Sequence, residues 1–338
     1  ESKLDMCSVF ALIRNTFFSL PVFIVLLLII EISLVNAAAI MCKFMTDEFG
    51  RYTAVIADQT FKAEDPAPKV YGRHLAGKKN SDVRVIDCAN KENKFEVFPA
   101  TLTQIFANTE VLMLQNSGLA KLSYESFKFT PFVKIMMFAN DNFSIEAGVF
   151  KGSVSLEVLK FEEIDFSHTQ PEAFDGVDDL KILSMKKCKF NESNLSFLEP
   201  ISSLSELYIT QSSLLHPPLK ATQNMPLLKI LDLSGNKLTY LHNDLVENKH
   251  FLELLDLSEN EINEIQRTLL EIWPNNAALN LEGNNCISQS FGHMGTSDLP
   301  LFDVVLHFMQ CFHQDEHEEN KTSEEEEEDV ISKSQETT

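Results

Sequence analysis

The sequence lacks the motifs that mark the common classes of enzyme. It holds no nucleophile elbow, P-loop, HExxH or CxxC pattern. In the enzymes that contain them, these motifs position a nucleophile, a phosphate or a zinc ion. We therefore expect no catalytic residue, no cofactor and no metal site. His313 and His317 stand beside Asp315 and Glu316, but with no fold to fix their geometry we expect no metal site there.

Basic residues are also few. The chain has 28 Lys and Arg against 50 Asp and Glu, a formal net charge of −22, which disfavours a nucleic-acid partner because phosphate binding needs a basic patch. Residues 313–338 alone carry 11 acids and 2 bases, which is −9. We expect a disordered, solubilising acidic tail there, with binding of a basic partner as the alternative.

Long apolar runs are absent except at one place. Residues 17–30, FFSLPVFIVLLLII, follow the basic Arg14 and end at Glu31, and small residues occur in LVNAAA (34–39). A membrane span needs about 20 apolar residues, so the pattern predicts a secretory signal peptide over 1–37, with an uncleaved anchor as the alternative. We expect a secreted, extracellular protein whose mature chain has no membrane association.

A repeat of 24 residues runs through the middle of the chain. Residues 228–238 (LKILDLSGNKL) and 252–262 (LELLDLSENEI) both fit L-x-x-L-x-L-x-x-N-x-L, the leucine-rich repeat pattern. Steps of 24, with one step of 23 at the start, give six more repeats, which begin at residues 109, 132, 156, 180, 204 and 276. These eight repeats, over 109–285, predict an α/β leucine-rich repeat solenoid, a horseshoe with a parallel concave β-sheet.

Position 9 of each repeat is expected to turn the chain out of its strand. An asparagine amide there can bond backbone groups of the turn and of the adjacent coil, which builds a ladder along the solenoid. The residues at position 9 include Asn140, Asn236, Asn260 and Asn284. Cys188 falls at the same position, so we expect a small buried substitute for asparagine, with a reactive or disulfide-bonded cysteine as the alternative.

Four cysteines remain after Cys7 is assigned to the signal peptide and Cys188 to the ladder. A solenoid has two open ends that need caps, and cysteines at the ends of a secreted one are expected to be disulfide-bonded. We predict a Cys286–Cys311 bond in a C-terminal cap over 286–312. There, LPLFDVVLHFMQ has helical spacing and is expected to cover the open end. By elimination, we predict a Cys42–Cys88 bond in an N-terminal cap over 38–108, which includes a first irregular repeat.

Residues 42–311 resemble the secreted leucine-rich repeat proteins of insects, flies and mosquitoes in particular. The eight repeats carry the general resemblance, while GRHLAGKKNSDVRVIDC (72–88) looks like the N-terminal cap and NNCIS with a later Phe (284–291) like the C-terminal one. In the family a second cysteine often lies near a YxC pattern. Here Tyr52 is followed by Thr53 and Ala54, which favours Cys88 as the partner of Cys42. The resemblance implies an extracellular binding protein, in some members one of immune recognition.

The concave face is the expected binding surface. In the predicted register, positions 5 and 7 of the early repeats expose apolar residues and those of the middle repeats expose mixed charge and a tyrosine, which suits a protein partner. The candidate contact residues are Met113, Met136, Phe138, Lys160, Lys186 and Tyr208. A cap folded over the apolar ones is the alternative. We expect a recognition module for an extracellular protein, possible roles being immunity or development. The other possibilities are a scaffold that forms homo- or hetero-dimers and a secreted effector or inhibitor.

Glycans are expected on the flank of the solenoid. N-x-S/T sequons occur at Asn142, Asn191, Asn194 and Asn320, which are acceptor sites in a secreted chain. Three of them follow position 9 closely, so glycans there would keep a partner away from that rim.

Overall fold

The computed structural model describes residues 39–312 apart from residues 64, 66, 192–194, 275–276 and 295–300. The predicted signal peptide and acidic tail lie outside the described residues, as do Asn194 and Asn320 among the predicted glycan sites.

The described residues form 19 strands, most of them short. In chain order they are β1 (Ala39–Thr46), β2 (Tyr52–Ile56), β3 (Thr60–Phe61), β4 (Lys69–Tyr71), β5 (Val85–Asp87), β6 (Lys94–Phe95), β7 (Val111–Gln115), β8 (Lys121–Leu122), β9 (Ile135–Ala139), β10 (Ser144–Ile145), β11 (Val158–Glu162), β12 (Ile182–Lys186), β13 (Glu206–Thr210), β14 (Ile230–Asp232), β15 (Tyr240–Leu241), β16 (Leu254–Asp256), β17 (Glu264–Ile265), β18 (Ala278–Asn280) and β19 (Ser290–Phe291).

Thirteen of these strands make one sheet, in the order β19-β18-β16-β14-β13-β12-β11-β9-β7-β5-β2-β1-β4. From β5 onward each repeat adds one strand beside that of the repeat before it. Neighbours are parallel except β1 with β2 and β18 with β19. The other strands form two-stranded sheets, β8 with β10, β15 with β17, and β3 with β6. This is the predicted solenoid with its parallel sheet.

Leucine spacing sets the register of the later strands. The residues at position 4 pair directly across the sheet and are fully buried; they are Leu183, Leu207, Leu231, Leu255 and Leu279. Side chains alternate between the two faces of a strand, so positions 4 and 6 point into the core while positions 3, 5 and 7 face the concave side. The predicted period of 24 is confirmed for these repeats.

The second repeat begins one residue later than the sequence predicts. Leu112 pairs with Met136, and Met136 pairs with Leu159, so position 1 is Val133 rather than Phe132. A shift of one residue turns every side chain of a strand to the opposite face. Met136 and Phe138 are accordingly 0% and 1% exposed. Their assignment to the concave surface was wrong.

Phenylalanine fills the core of the early repeats. Of the chain's 26 phenylalanines, five contribute one ring per turn to a continuous spine on the convex side of the core. Its centroids are 5.5–6.0 Å apart along the series Phe98, Phe127, Phe150, Phe174 and Phe197. Ala221 lies one 24-residue period beyond Phe197 and is buried, so the spine ends there. The later repeats have Leu245 and Leu269 in the equivalent place.

An asparagine ladder holds the last three repeats together. The Asn260 amide donates to Leu233 O and Leu257 O at 2.9 and 3.0 Å, and its Oδ1 accepts from the Leu238 N–H at 3.0 Å. Asn236 and Asn284 make equivalent bonds. Each buried amide therefore ties its own turn to the preceding one, as predicted.

Other residues replace asparagine in the earlier turns. Asp141, not Asn140, occupies position 9 of the second repeat, and its carboxylate accepts from the N–H groups of Ser117 and Gly118 at 3.0 and 2.8 Å. Burial raises the pKa of Asp141, and these hydrogen bonds oppose the rise. Cys188 lies in the ladder as predicted: it is a buried free thiol whose pKa burial raises to about 12. The thiol is therefore neutral and unreactive at physiological pH.

Short helical segments lie on the convex side and in the two caps. Among the residues that the structure describes, four are α-helical, namely α1 (Thr101–Ile105), α2 (Tyr124–Phe127), α3 (Leu219–Gln223) and α4 (Leu301–Phe308). The 3₁₀ segments are Asn80–Asp82, Pro171–Phe174, Ser196–Leu198, Asn243–Leu245, Arg267–Leu270 and Met309–Cys311.

A disulfide-linked helix closes the C-terminal end. The predicted Cys286–Cys311 bond is present, with the two Cα atoms 5.4 Å apart. The predicted helical spacing forms α4, which buries Val304 and Phe308 completely. The Phe308 ring meets Phe291 of β19 edge to face at 5.3 Å. This packing keeps the apolar core of the last repeat away from water.

The N-terminal end has no disulfide in this structure. Cys42 and Cys88 are both buried free thiols, and burial raises the pKa of the Cys42 thiol to about 12. Cys42 pairs with Ile56 on β2, and β2 lies between β1 and β5. Strand β2 therefore separates the strand that carries Cys42 from β5, which ends directly before Cys88. Counting cysteines cannot reveal the intervening strand.

Candidate binding surface

Position 3 of the repeats forms an aliphatic row across the concave face. The row comprises Val85, Val111, Ile135, Val158, Ile182, Glu206, Ile230, Leu254 and Ala278, which are paired strand to strand. Only Glu206 in this row is polar. From Ile135 onward its members are partly exposed, because each side chain packs against its neighbours in the sheet while its outer part faces solvent. We name this set of residues the aliphatic row.

A row of alternating charge runs beside the aliphatic row at position 2. Arg84 pairs with Glu110 at 3.4 Å, Lys181 with Glu157 at 3.2 Å, and Lys229 with Glu253 at 2.9 Å. These side chains are largely exposed, so each pair adds little to stability. Their effect is to neutralise much of the edge of the apolar surface, since each of these six charges has its counterion in the neighbouring repeat.

Position 5 changes character along the sheet. Met113 and Met137 are partly exposed and lie beside each other on β7 and β9. Lys160, on β11, is exposed. The predicted residues Met113 and Lys160 therefore do face the concave side, while Met137 takes the place assigned to Met136. Lys186, at position 7, is exposed and forms an ion pair with Glu162 at 3.3 Å.

Tyr208 marks the end of the apolar part of the surface. Its hydroxyl donates to Glu206 Oε2 at 2.8 Å. Partial burial raises the Tyr208 pKa to about 12, and the charges of Glu206 and Asp232 add to the rise. The tyrosine is thus a neutral hydrogen-bond donor held over the one carboxylate that interrupts the aliphatic row. Beyond it, position 5 carries Asp232 and Asp256.

Comparison with known proteins agrees with this geometry. Residues 202–262 match the family model for leucine-rich repeats. A leucine-rich repeat protein of Leptospira interrogans superposes with a TM-score of 0.52 over 62% of this chain and 51% of its own, at 22% identity. The LRIM1/APL1C complex gives 0.50 over 75% and 52%, at 15% identity.

The chain has the leucine-rich repeat fold. It spans about half the length of these two structures. A comparison with curated protein sequences finds no match. The matching family model describes a repeat and not a catalytic domain.

The rims of the leucine-rich repeat sheet carry two of the predicted glycan sites. Asn142 and Asn191 are both exposed. Asn142 directly follows the ladder residue Asp141, on the flank where the strands end. A modification of either residue would lie beside the concave surface and not on it.

The leucine-rich repeat surface includes residues that sequence reasoning passed over. Ile135, Val158 and Ile182 face the concave side from position 3, whereas the predicted contact residues were taken from positions 5 and 7 alone. The available signal was a β-branched residue directly before position 4 in most repeats, as at Val111, Val158 and Ile182.

Among residues 39–312, as far as the structure describes them, no group of three or more His, Cys, Asp or Glu is arranged to hold a metal. In the same residues, no helix has the length and apolar character of a membrane span.

Proposed function

We propose that the chain is an extracellular recognition module that binds a protein on the concave face of its first four repeats. The observation that carries this proposal is the apolar surface formed by Met113, Met137, Ile135, Val158 and Ile182. These side chains are partly exposed and clustered; apolar patches of this kind mark sites of protein interaction, and flexible methionines adapt to a partner's shape. Secretion, and a role in immunity or development, belong to the same proposal.

The charges around the surface indicate what kind of partner fits. The ion pairs Arg84–Glu110 and Lys181–Glu157 neutralise part of the rim beside the first repeats, while Lys134 and Lys160 are exposed cations there. A partner with an apolar ridge flanked by an acidic group would therefore fit this surface. Of the solved structures above, the LRIM1/APL1C crystal contains two proteins in a complex, which supports a binding role for a fold of this kind.

Affinity capture with matched variants tests the proposal. The tagged chain is expressed with its N-terminal segment in insect cells, recovered from the medium, and used to capture proteins from haemolymph or tissue extract. The concave variant is Met113→Glu with Met137→Glu. The control is Tyr124→Glu with Val154→Glu, whose side chains are 44% and 61% exposed and lie outside the sheet.

We expect a protein that the wild type and the control capture equally and that the concave variant loses by at least tenfold. Equal capture by the concave variant would place the binding site elsewhere. Failure of the chain to appear in the medium would remove secretion from the proposal. Light scattering across a range of concentrations identifies self-association, in which case the captured partner is a second copy of the chain.

A further inference from the structure

One lysine lies where every other described repeat has an uncharged core residue. Three residues before position 1, each turn buries a side chain on the flank of the core. These residues are Phe106, Thr130, Ser153, Val177, Ile201, Met225, Lys249 and Trp273, all at most 7% exposed. Lys249 is 1% exposed, close to the 0% of Met225 one repeat earlier.

The buried ammonium is poorly satisfied. A lysine carries three donors, and the one hydrogen bond that Lys249 Nζ makes among the described residues is to Glu247 O at 3.4 Å. No carboxylate of the described residues lies within 4.0 Å of it, in contrast to Lys229, which pairs with Glu253 at 2.9 Å. Burial lowers the pKa of Lys249, and the negative charge of Glu247 opposes the fall.

Lys249 lines a cavity of about 490 Å³ between the turns of the sixth and seventh repeats. Its other walls include Val246, Asn248, Ile272, Trp273 and Pro274. Sites for small molecules fall in the range of about 300–1,000 Å³ and combine apolar walls with a few polar groups. Half of the lining residues here are apolar, namely an indole, two aliphatic side chains and a proline ring, and the buried polar group is a cation. Glu247 and His250 also border the cavity and are exposed.

We propose that this cavity binds a small organic anion with an apolar body, such as a medium-chain carboxylate. The carboxylate accepts hydrogen bonds from the Lys249 ammonium and supplies its missing counterion. The apolar body packs against Trp273 and Ile272. A neutral ligand of the same shape would leave the ammonium unpaired, so the charge is what the site selects. The cavity lies on the flank of the solenoid, and its function is independent of the concave surface.

The chain provides its own probe for this site. Trp273 is the single tryptophan of the sequence, so intrinsic fluorescence excited at the indole band reports on this cavity without interference. Titration with sodium octanoate should change the Trp273 emission saturably. Octanamide, which has the same chain and no charge, should bind at least tenfold more weakly.

Two variants separate charge from packing. Lys249→Met removes the charge but keeps the core packed, because Met225 is buried at the equivalent position of the preceding repeat. Octanoate should bind this variant at least tenfold more weakly. Lys220→Met removes an exposed lysine on α3 and should leave the titration unchanged. Ile272→Glu brings a carboxylate to the cavity edge at a side chain that is already 41% exposed, and should weaken octanoate binding without disturbing the fold.

Circular dichroism confirms that each variant is folded before titration. The proposal is overturned if millimolar octanoate leaves the Trp273 emission unchanged. It is also overturned if octanamide or the Lys249→Met protein binds as well as octanoate binds the wild type. Should Lys249→Met fail to fold, the Ile272→Glu titration decides by itself, and unchanged affinity there counts against the site.

Discussion

Replacement of Phe138 by alanine tests the register of the second repeat. Phe138 is buried in β9, where its ring stacks on Phe161 at 5.2 Å and meets Phe143 and Phe127 edge to face at 5.7 and 6.1 Å. Removal of a buried phenylalanine ring costs about 3–5 kcal/mol through lost transfer free energy and the cavity left behind. Because each aromatic pair adds about 0.5–1.5 kcal/mol beyond its buried area, we place Phe138→Ala near the upper end of that range.

The neighbouring residue supplies the control. Met137 is partly exposed on the concave face, and complete burial of a methionine contributes about 1.5–3 kcal/mol, so Met137→Ala should cost roughly 1 kcal/mol. Guanidinium unfolding followed by far-ultraviolet circular dichroism measures both values. The reasoning fails if the order is reversed, with Met137→Ala costing more than Phe138→Ala. That result would restore the register in which Phe138 faces the concave side.

Three further substitutions probe buried polar groups and the C-terminal cap. Asp141→Asn should stabilise the chain at pH 7 by about 1 kcal/mol. Because the folded pKa of Asp141 is raised, wild-type stability falls as pH rises through that pKa, so the advantage of the variant should shrink at acid pH; a constant difference would contradict this. Lys249→Met should raise the free energy of unfolding by about 1–3 kcal/mol at neutral pH. As the folded pKa of Lys249 is lowered, the gain should diminish toward the ordinary lysine pKa of 10.5, and a loss of stability at pH 7 would refute it. Cys286→Ser should lower the thermal stability by about 2–4 kcal/mol, and an unchanged melting temperature would show that the cap does not depend on its disulfide.

The sequence predicts most of the fold because leucine recurs at fixed spacing. The later strands, from β12 to β18, pair in the register that the 24-residue period requires. The prediction fails where the apolar pattern is ambiguous. In FVKIMMFAN (132–140) nearly every residue is apolar, so two registers satisfy the pattern almost equally well. Asn140 favoured the wrong register because asparagine is the usual ladder residue. In the structure, the buried carboxylate of Asp141 occupies the ladder position.

Other features depend on contacts between turns that no single repeat reveals. Lysine is ordinarily exposed, so Lys249 gives no sequence sign of its burial beside Trp273. Six candidate contact residues were predicted for the concave face. The structure places Met113, Lys160, Lys186 and Tyr208 there. Met136 and Phe138 are in the core, a consequence of the single register shift. The sequence of a strand shows which residues share a face, but only the pairing with neighbouring strands determines which face is exposed to solvent.

The end of the phenylalanine spine at Ala221 divides the solenoid into two units of unequal coupling. In a stack of repeats, stability is a sum of terms for each repeat and for each interface with a neighbour. The interfaces from Phe98 to Phe197 each include a ring pair, whereas the interface between Phe197 and Ala221 includes a methyl group in its place. We expect partial unfolding to begin at this junction.

The two proposed binding sites then lie on opposite sides of this junction. The apolar concave surface belongs to the first unit, and the cavity at Lys249 belongs to the second. A ligand protects backbone amides only within the unit that must be folded to bind it. With octanoate present, the exchange rate of backbone amides should therefore fall in the later repeats and stay unchanged in the earlier ones. The chain would then unfold as two separate units, although its sheet is continuous.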